Sequence, residues 1–150
     1  MTKSLTVEIS IYFILGYLVY LKDLNDNIED YRNCGTNIIF HINLLAHHVL
    51  SIFIMFGWLS NNKYVLLVYC VSVSVTLGIS LVKTSCPLTV WNNDMCQLPK
   101  NKPFYNLPYI LGWYQSKFTK NIVIAMVLTV SYCIYKLRKI TINERYKIQL

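Results

Sequence analysis

The chain has 150 residues, of which 55% are hydrophobic and only 14% are charged, and its formal net charge is +7. A soluble globule of this size needs more polar surface than such a composition supplies. The mean hydropathy of +0.40 therefore predicts a membrane protein. The lysines and arginines are dispersed along the chain without an arginine-rich helix, which argues against nucleic acid as a partner.

Four apolar stretches predict membrane-spanning helices. A helix needs about 17 to 25 apolar residues to cross the hydrocarbon core of a bilayer. The fourth stretch is short, but lysines at both of its ends can extend their charges towards water. The predicted helices cover about 5–21, 38–59, 64–82 and 118–135. We expect an all-α fold, specifically an integral membrane four-helix bundle that forms one domain over residues 1–150.

The first apolar stretch has some features of a signal peptide. Lys3 precedes it, but Glu8 interrupts its beginning and the residues from Tyr17 to Leu21 offer no small-residue cleavage site. We therefore expect an uncleaved membrane anchor.

The charges between the predicted spans bear on orientation. Lysine and arginine are equally numerous on the two sides, so the positive-inside rule does not decide. The basic residues are concentrated in the tail 136–150, whereas the opposite side also carries acidic residues. We expect cytoplasmic termini, an extracytoplasmic loop 83–117, and contact between the tail and lipid headgroups. Four acidic residues in the first loop are expected to keep it in water: Asp23, Asp26, Glu29 and Asp30.

The second predicted span carries a polar face. At about 100° per residue, the side chains at i, i+4 and i+7 fall on neighbouring lines of a helix. Polar side chains within a bilayer are costly, so this face is either a functional site or a set of hydrogen bonds that hold helices together. Glu8 of the first span is a candidate partner. The face consists of His41, Asn43, His47, His48 and Ser51.

Five cysteines fall into two groups. Cys70 and Cys133 lie within spans and are expected to be buried thiols. The other three lie in loops on the expected extracytoplasmic side, where oxidation is permitted. Cys86 and Cys96 are closest in sequence, and we predict a disulfide between them, which leaves the third loop cysteine, Cys34, over.

Alternative functions use the same residues. A thiol-disulfide oxidoreductase or a metal site can be built from His47, Cys86 and Cys96, which are the candidate catalytic residues if the protein is an enzyme. No Cys-x-x-Cys and no short zinc-ligand spacing is present, so we expect neither metal nor cofactor. A small channel or transporter lined by the polar face is a second alternative.

An aromatic stretch between 103 and 118 carries little charge and is rich in tyrosine and tryptophan. Such residues favour the headgroup region of a bilayer. We expect an interfacial segment here between the third and fourth helices, and an aromatic lid over the histidines is the functional alternative.

The segment Cys86–Trp91 reads CPLTVW and resembles the CPLTxW motif of a family of small bacterial multi-span membrane proteins of unknown function. His47 and Gly57 stand ten residues apart, which is the spacing of a histidine and a glycine in that family. The resemblance covers about residues 44–93. It departs from the family pattern at Asn92, where the family usually has a glutamate.

With the following Cys96, the same pattern is also similar to small multi-span proteins of giant DNA viruses. The resemblance implies a multi-span membrane architecture and marks His47, Cys86 and Thr89 as candidate site residues, without implying an activity.

The function that we expect is therefore non-enzymatic: a multi-pass membrane protein with a structural or interaction role, in a viral or host membrane. Its partners are expected to be the lipid bilayer and either copies of itself or other membrane proteins. Small residues at every fourth position on the last two spans predict packing seams. These residues are Ser72, Thr76, Ser80, Ala125, Thr129 and Cys133.

Overall fold

The computed structural model describes residues 2–82, 86–99, 102 and 118–148, and every regular element among them is helical. The prediction of an all-α fold is confirmed for this part of the chain. A single 3-10 turn, Gly57–Leu59, follows the second helix. The helices are α1 (Thr2–Asp26), α2 (Ile38–Phe56), α3 (Lys63–Val82), α4 (Pro87–Met95) and α5 (Phe118–Ile148).

Two stretches of the described residues, Leu5–Asp26 and Ile38–Leu59, are long and apolar enough to cross a membrane. A shorter apolar stretch follows at Lys63–Ile79. Length and composition thus support membrane association, and four spans stay a prediction.

Two predicted helix ends and one predicted loop differ most from the structure. The first helix continues from the predicted end at residue 21 to Asp26, and the basic tail is helical as far as Ile148. The predicted loop 83–117 contains a helix, α4, that the sequence reading missed. The predicted aromatic segment 103–117 lies outside the described residues.

Side-chain caps explain where α2 and α3 begin. The side chain of Asn37 accepts a hydrogen bond from the Ile39 amide at 2.9 Å, and that of Asn62 accepts one from the Tyr64 amide at 2.9 Å. Both bonds satisfy amides that the first turn of a helix leaves without a partner. The starts of both helices are therefore fixed by local side-chain hydrogen bonds, and Asn62 also marks the end of the short connection between α2 and α3.

The connection between α2 and α3 is also held from two sides. Ser60 donates a side-chain hydrogen bond to the Glu8 carboxylate of α1. Its backbone carbonyl accepts a hydrogen bond from Lys136 of α5 at 2.6 Å. Glu8 therefore contacts this turn rather than the histidines of α2, and the expectation that it partners them is wrong.

Helices α1 and α2 run antiparallel, and their backbones approach each other closely at Gly16. A Cβ atom built on Gly16 meets Val49 Cγ2 at 2.6 Å, its Cα at 2.7 Å and its backbone nitrogen at 2.9 Å. Two of these atoms belong to the backbone and cannot rotate away. Close backbone contact of this kind is how helices associate in lipid, where the hydrophobic effect gives little preference.

Gly16→Ala is expected to destabilise the protein, whereas Gly78→Ala is expected to be neutral or stabilising. Overpacking costs about 1–3 kcal/mol, which outweighs the gain of up to about 1 kcal/mol from replacing a helical glycine. A Cβ atom on Gly78 meets nothing within 4 Å, so only the gain applies there. Free energies of unfolding measured in detergent micelles should separate the two variants, and equal values would contradict the close approach.

Helices α3 and α5 form the second packed pair. Their buried contact consists of Leu66, Tyr69, Val73 and Cys133. The Tyr69 hydroxyl lies 3.0 Å from the Thr129 hydroxyl and 3.2 Å from the carbonyl oxygen of Ile54 in α2. The predicted seam on α5 thus contributes Thr129 and Cys133, and α3 contributes the large side chains of Leu66 and Tyr69.

Candidate functional site

Residues 27–36 and helix α4 cover one end of the α1–α2 pair, the end at which α1 finishes. We refer to these two pieces together as the cap. Cys34 and Cys96 form a disulfide that joins these two pieces, and both half-cystines are buried. A 2.5 Å ion pair between Lys102 and Asp30 adds a second link. The Asn93 side chain donates to the carbonyl oxygens of Pro99 and Lys102, each at 3.1 Å.

The predicted Cys86–Cys96 disulfide is wrong, and Cys86 is an exposed free thiol. The physical reason is that Pro87–Met95 is helical. The two cysteines flank this nine-residue helix and stand ten residues apart, which corresponds to about 15 Å along the axis, whereas a disulfide requires Cα atoms within about 7 Å of each other. Cys70 and Cys133 are free thiols as expected, but only Cys133 is buried and Cys70 is half-buried.

A buried ionisable pair lies beneath this cap. His48 Nε2 is 2.8 Å from Asp23 Oδ2, and both side chains are 0% exposed. In a helix each Cα–Cβ bond tilts towards the N-terminus of that helix. The Asp23 side chain therefore leans away from the end of α1, and the His48 side chain leans towards it, because the two helices are antiparallel. That tilt lets a residue near the end of α1 reach one in the middle of α2.

Two further donors converge on Asp23. The Tyr31 hydroxyl donates to Oδ1 at 3.0 Å, and the Asn27 side-chain amide donates to the same oxygen at 2.8 Å. A carboxylate can accept all of these hydrogen bonds together with the one from His48. Burial and the neighbouring Asp23 carboxylate raise the pKa of the Tyr31 hydroxyl above its ordinary value, which keeps Tyr31 a proton donor.

Sequence reasoning missed Asp23, because the segment from Lys22 to Asp30 was assigned to a solvated loop. That expectation is wrong for Asp23, which is buried. One signal was present in the sequence: Lys22 and Asp26 stand four residues apart and form a 2.8 Å ion pair. Such pairs support a continuing helix, and a helix that reaches Asp26 places Asp23 seven residues after Gly16, on the face that packs against α2.

His41 lies at the edge of the same interface and is partly exposed. Its Nε2 is 2.7 Å from the Gly35 carbonyl oxygen, and its Nδ1 is 2.9 Å from the Tyr20 hydroxyl. A carbonyl only accepts hydrogen bonds, so Nε2 carries the proton that it donates to Gly35. In the neutral ring, Nδ1 then accepts from Tyr20. His41 thus holds the end of the 27–36 segment against α1.

Asn43 connects α2 to α4. Its side-chain amide donates to Asn92 Oδ1 at 2.6 Å and to the Leu88 carbonyl oxygen at 3.3 Å. His47, one turn further along α2, is also buried, and its ring centroid lies 5.8 Å from that of His48. Ser51 is only partly buried.

The predicted polar face of α2 is therefore turned inwards at Asn43, His47 and His48. It is interleaved there with apolar residues, because Leu44 and Ile52 are equally buried.

The arrangement favours structure over chemistry. Asp23 and His48 are sealed from solvent, so no substrate reaches them without local unfolding. The candidate catalytic residues His47, Cys86 and Cys96 are not assembled for thiol exchange, because Cys96 is bonded to Cys34 and Cys86 lies at the other end of α4. Within the described residues, no three histidine, cysteine or acidic side chains converge as metal ligands.

Comparison of the chain with protein-family models, with curated proteins and with solved structures finds no match. The relationship to the CPLTxW family and to viral membrane proteins therefore stays a prediction.

Proposed function

We propose that the protein is a multi-pass integral membrane protein with a structural or interaction role rather than a catalytic one. The observation that carries this proposal is the apolar surface of α1. Only 6% of its most apolar 18-residue window is buried against the rest of the protein. Large apolar side chains are exposed around this helix, including Val7, Ile9, Phe13, Ile14 and Leu18.

Such a surface needs an apolar environment. Soluble proteins rarely expose contiguous apolar patches of more than a few hundred Å², and a buried core helix has its apolar side chains covered by protein. A bilayer covers α1 without any further partner. Helices α3 and α5 complete the proposed set of four spans, since the 20 residues of α3 reach about 30 Å, the thickness of the hydrocarbon core.

The polar residues support a structural role. The network around Asp23 and His48 is buried and hydrogen-bonded within the chain, which is how polar groups hold helices together in lipid. The disulfide fixes the cap on the side that we propose is extracytoplasmic. The partners that we propose are bilayer lipid and, along the exposed faces of α3 and α5, copies of the chain or other membrane helices.

Insertion and sidedness can be tested in one translation experiment with microsomes. The native chain has no Asn-x-Ser/Thr glycosylation acceptor, so inserted acceptors report position without background. One acceptor is placed before Met1, one between Asn106 and Leu107, and one after Leu150. We expect glycosylation of the middle acceptor alone and a protein that stays in the membrane pellet at alkaline pH.

Release of the chain by alkaline carbonate would contradict membrane integration. Glycosylation of either terminal acceptor would contradict four spans with cytoplasmic termini, even if the protein remained in the pellet. The two readouts therefore separate the class of protein from its topology.

A further inference from the structure

Helix α4 has its polar and apolar faces reversed relative to a soluble surface helix. Its buried face carries Thr89, Asn92 and Asn93, while Trp91 is 50% exposed. A surface helix of a soluble protein normally buries its apolar stripe and exposes its polar residues. Exposing the indole while burying two asparagines indicates that the outer side of α4 does not face bulk water.

The contacts between α4 and α2 show how far α4 lies from the first residue of α2, measured along the axis of α2. The carbonyl of Leu88, near the start of α4, accepts a hydrogen bond from Asn43. Asn43 lies five residues after the first residue of α2, which corresponds to about 7.5 Å along the helix axis. Next to it on α2, Ile39 and Ile42 expose their side chains. The N-terminal part of α4 therefore lies at the level of the apolar surface of α2.

The C-terminal part of α4 lies nearer the other piece of the cap, residues 27–36. Cys96, directly after the helix, is bonded to Cys34, which precedes the start of α2. The outer face of α4 changes in the same direction, from Pro87 and Trp91 to the exposed Asp94. Helices that lie in the membrane interface bury their apolar faces by about 5–10 Å, which matches this position.

We propose that α4 is a tilted interfacial membrane helix that presents Trp91 to the phospholipid boundary between headgroups and acyl chains. Its asparagine face binds α2, and the hydrogen bond between Asn43 and Asn92 fixes its orientation. Tryptophan suits that boundary, because its ring is apolar and its N–H finds polar partners there. This inference rests on the proposed membrane insertion and assigns α4 a specific place in the bilayer.

Tryptophan fluorescence tests the inference. The variant Trp58→Phe, Trp113→Phe leaves Trp91 as the only indole, and it is reconstituted into phosphatidylcholine vesicles with nitroxide labels at either a shallow or a deep acyl position. We expect emission blue-shifted from that of the urea-unfolded chain. We also expect stronger quenching by the shallow label than by the deep label or by aqueous acrylamide.

A matched variant moves the indole about one turn along α4, towards its C-terminal end. In the same background, Trp91→Phe combined with Asp94→Trp should give red-shifted emission and greater acrylamide quenching than Trp91 itself, because that end of α4 lies nearer water. Both substitutions are on the exposed face, so the fold should tolerate them. Equal accessibility at the two positions would contradict the tilt.

Flotation of the vesicles separates the two proposals. Protein that does not float with the lipid would overturn membrane integration itself. Protein that floats while Trp91 is quenched mainly by acrylamide, or by neither lipid label, would leave integration intact. It would show that water or another protein covers α4, and so would overturn the interfacial assignment.

Discussion

Replacing either Asp23 or His48 with leucine is expected to lower the free energy of unfolding by about 3–5 kcal/mol, because each change leaves a buried ionisable group without its partner. The pair is completely buried and its atoms lie 2.8 Å apart, so water cannot compensate for the lost interaction. Equilibrium unfolding in mixed micelles measures the effect. The double variant should lose less than the sum of the single losses, since it leaves neither member of the pair behind.

The exposed Lys22–Asp26 ion pair, which lies on α1 as Asp23 does, is the matched control. Its members are 53% and 29% exposed, and an exposed ion pair contributes only about 0–1 kcal/mol. Asp26→Leu should therefore have a small effect. A hydrogen bond between membrane helices typically contributes about 0.6 kcal/mol. If the Asp23 and His48 variants each lost only that much free energy of unfolding, and if the two losses added in the double variant, the pair would be an ordinary packing contact.

The sequence predicted α2 well because its boundaries have strong local signals. An apolar run begins directly after Asn37, a good N-cap residue, and ends at Leu59, three residues beyond the last residue of α2. The inward position of Asn43, His47 and His48 also follows from helical periodicity. The residues that these side chains contact could not be predicted, because no local sequence signal indicates which of the seven acidic residues lies opposite a given histidine.

Helix α4 and the cysteine pair at its end were not predicted from the sequence, because the local signals there are misleading. Asn92, Asn93 and Asp94 have low helix propensity, and together they are typical of a loop. The helix is instead held by tertiary contacts, namely the Asn43–Asn92 hydrogen bond and the disulfide at Cys96. Without knowledge of this helix, proximity in sequence favoured the wrong cysteine pair.

Cys34→Ser is expected to destabilise the protein by about 4 kcal/mol, the chain-entropy value for a disulfide that closes a loop of this length. The two cysteines are 62 residues apart. Cys86→Ser should change the stability by less than about 0.5 kcal/mol, since an exposed substitution without partners usually has little effect. Denaturant unfolding under oxidising conditions compares them. Alkylation before and after reduction should identify Cys70, Cys86 and Cys133 as the free thiols.

The reverse pattern, in which Cys86→Ser destabilises the protein and frees Cys96, would contradict the Cys34–Cys96 pairing.

The Cys34–Cys96 disulfide should also be energetically coupled to the buried Asp23–His48 pair. Cys34 and Tyr31 belong to the same turn, where the Cys34 amide donates to the Tyr31 carbonyl oxygen at 3.1 Å, and Tyr31 in turn donates to Asp23. Loss of the disulfide loosens that turn and weakens the support of Asp23. Cys34→Ser and His48→Leu should therefore combine non-additively, whereas two independent sites would add.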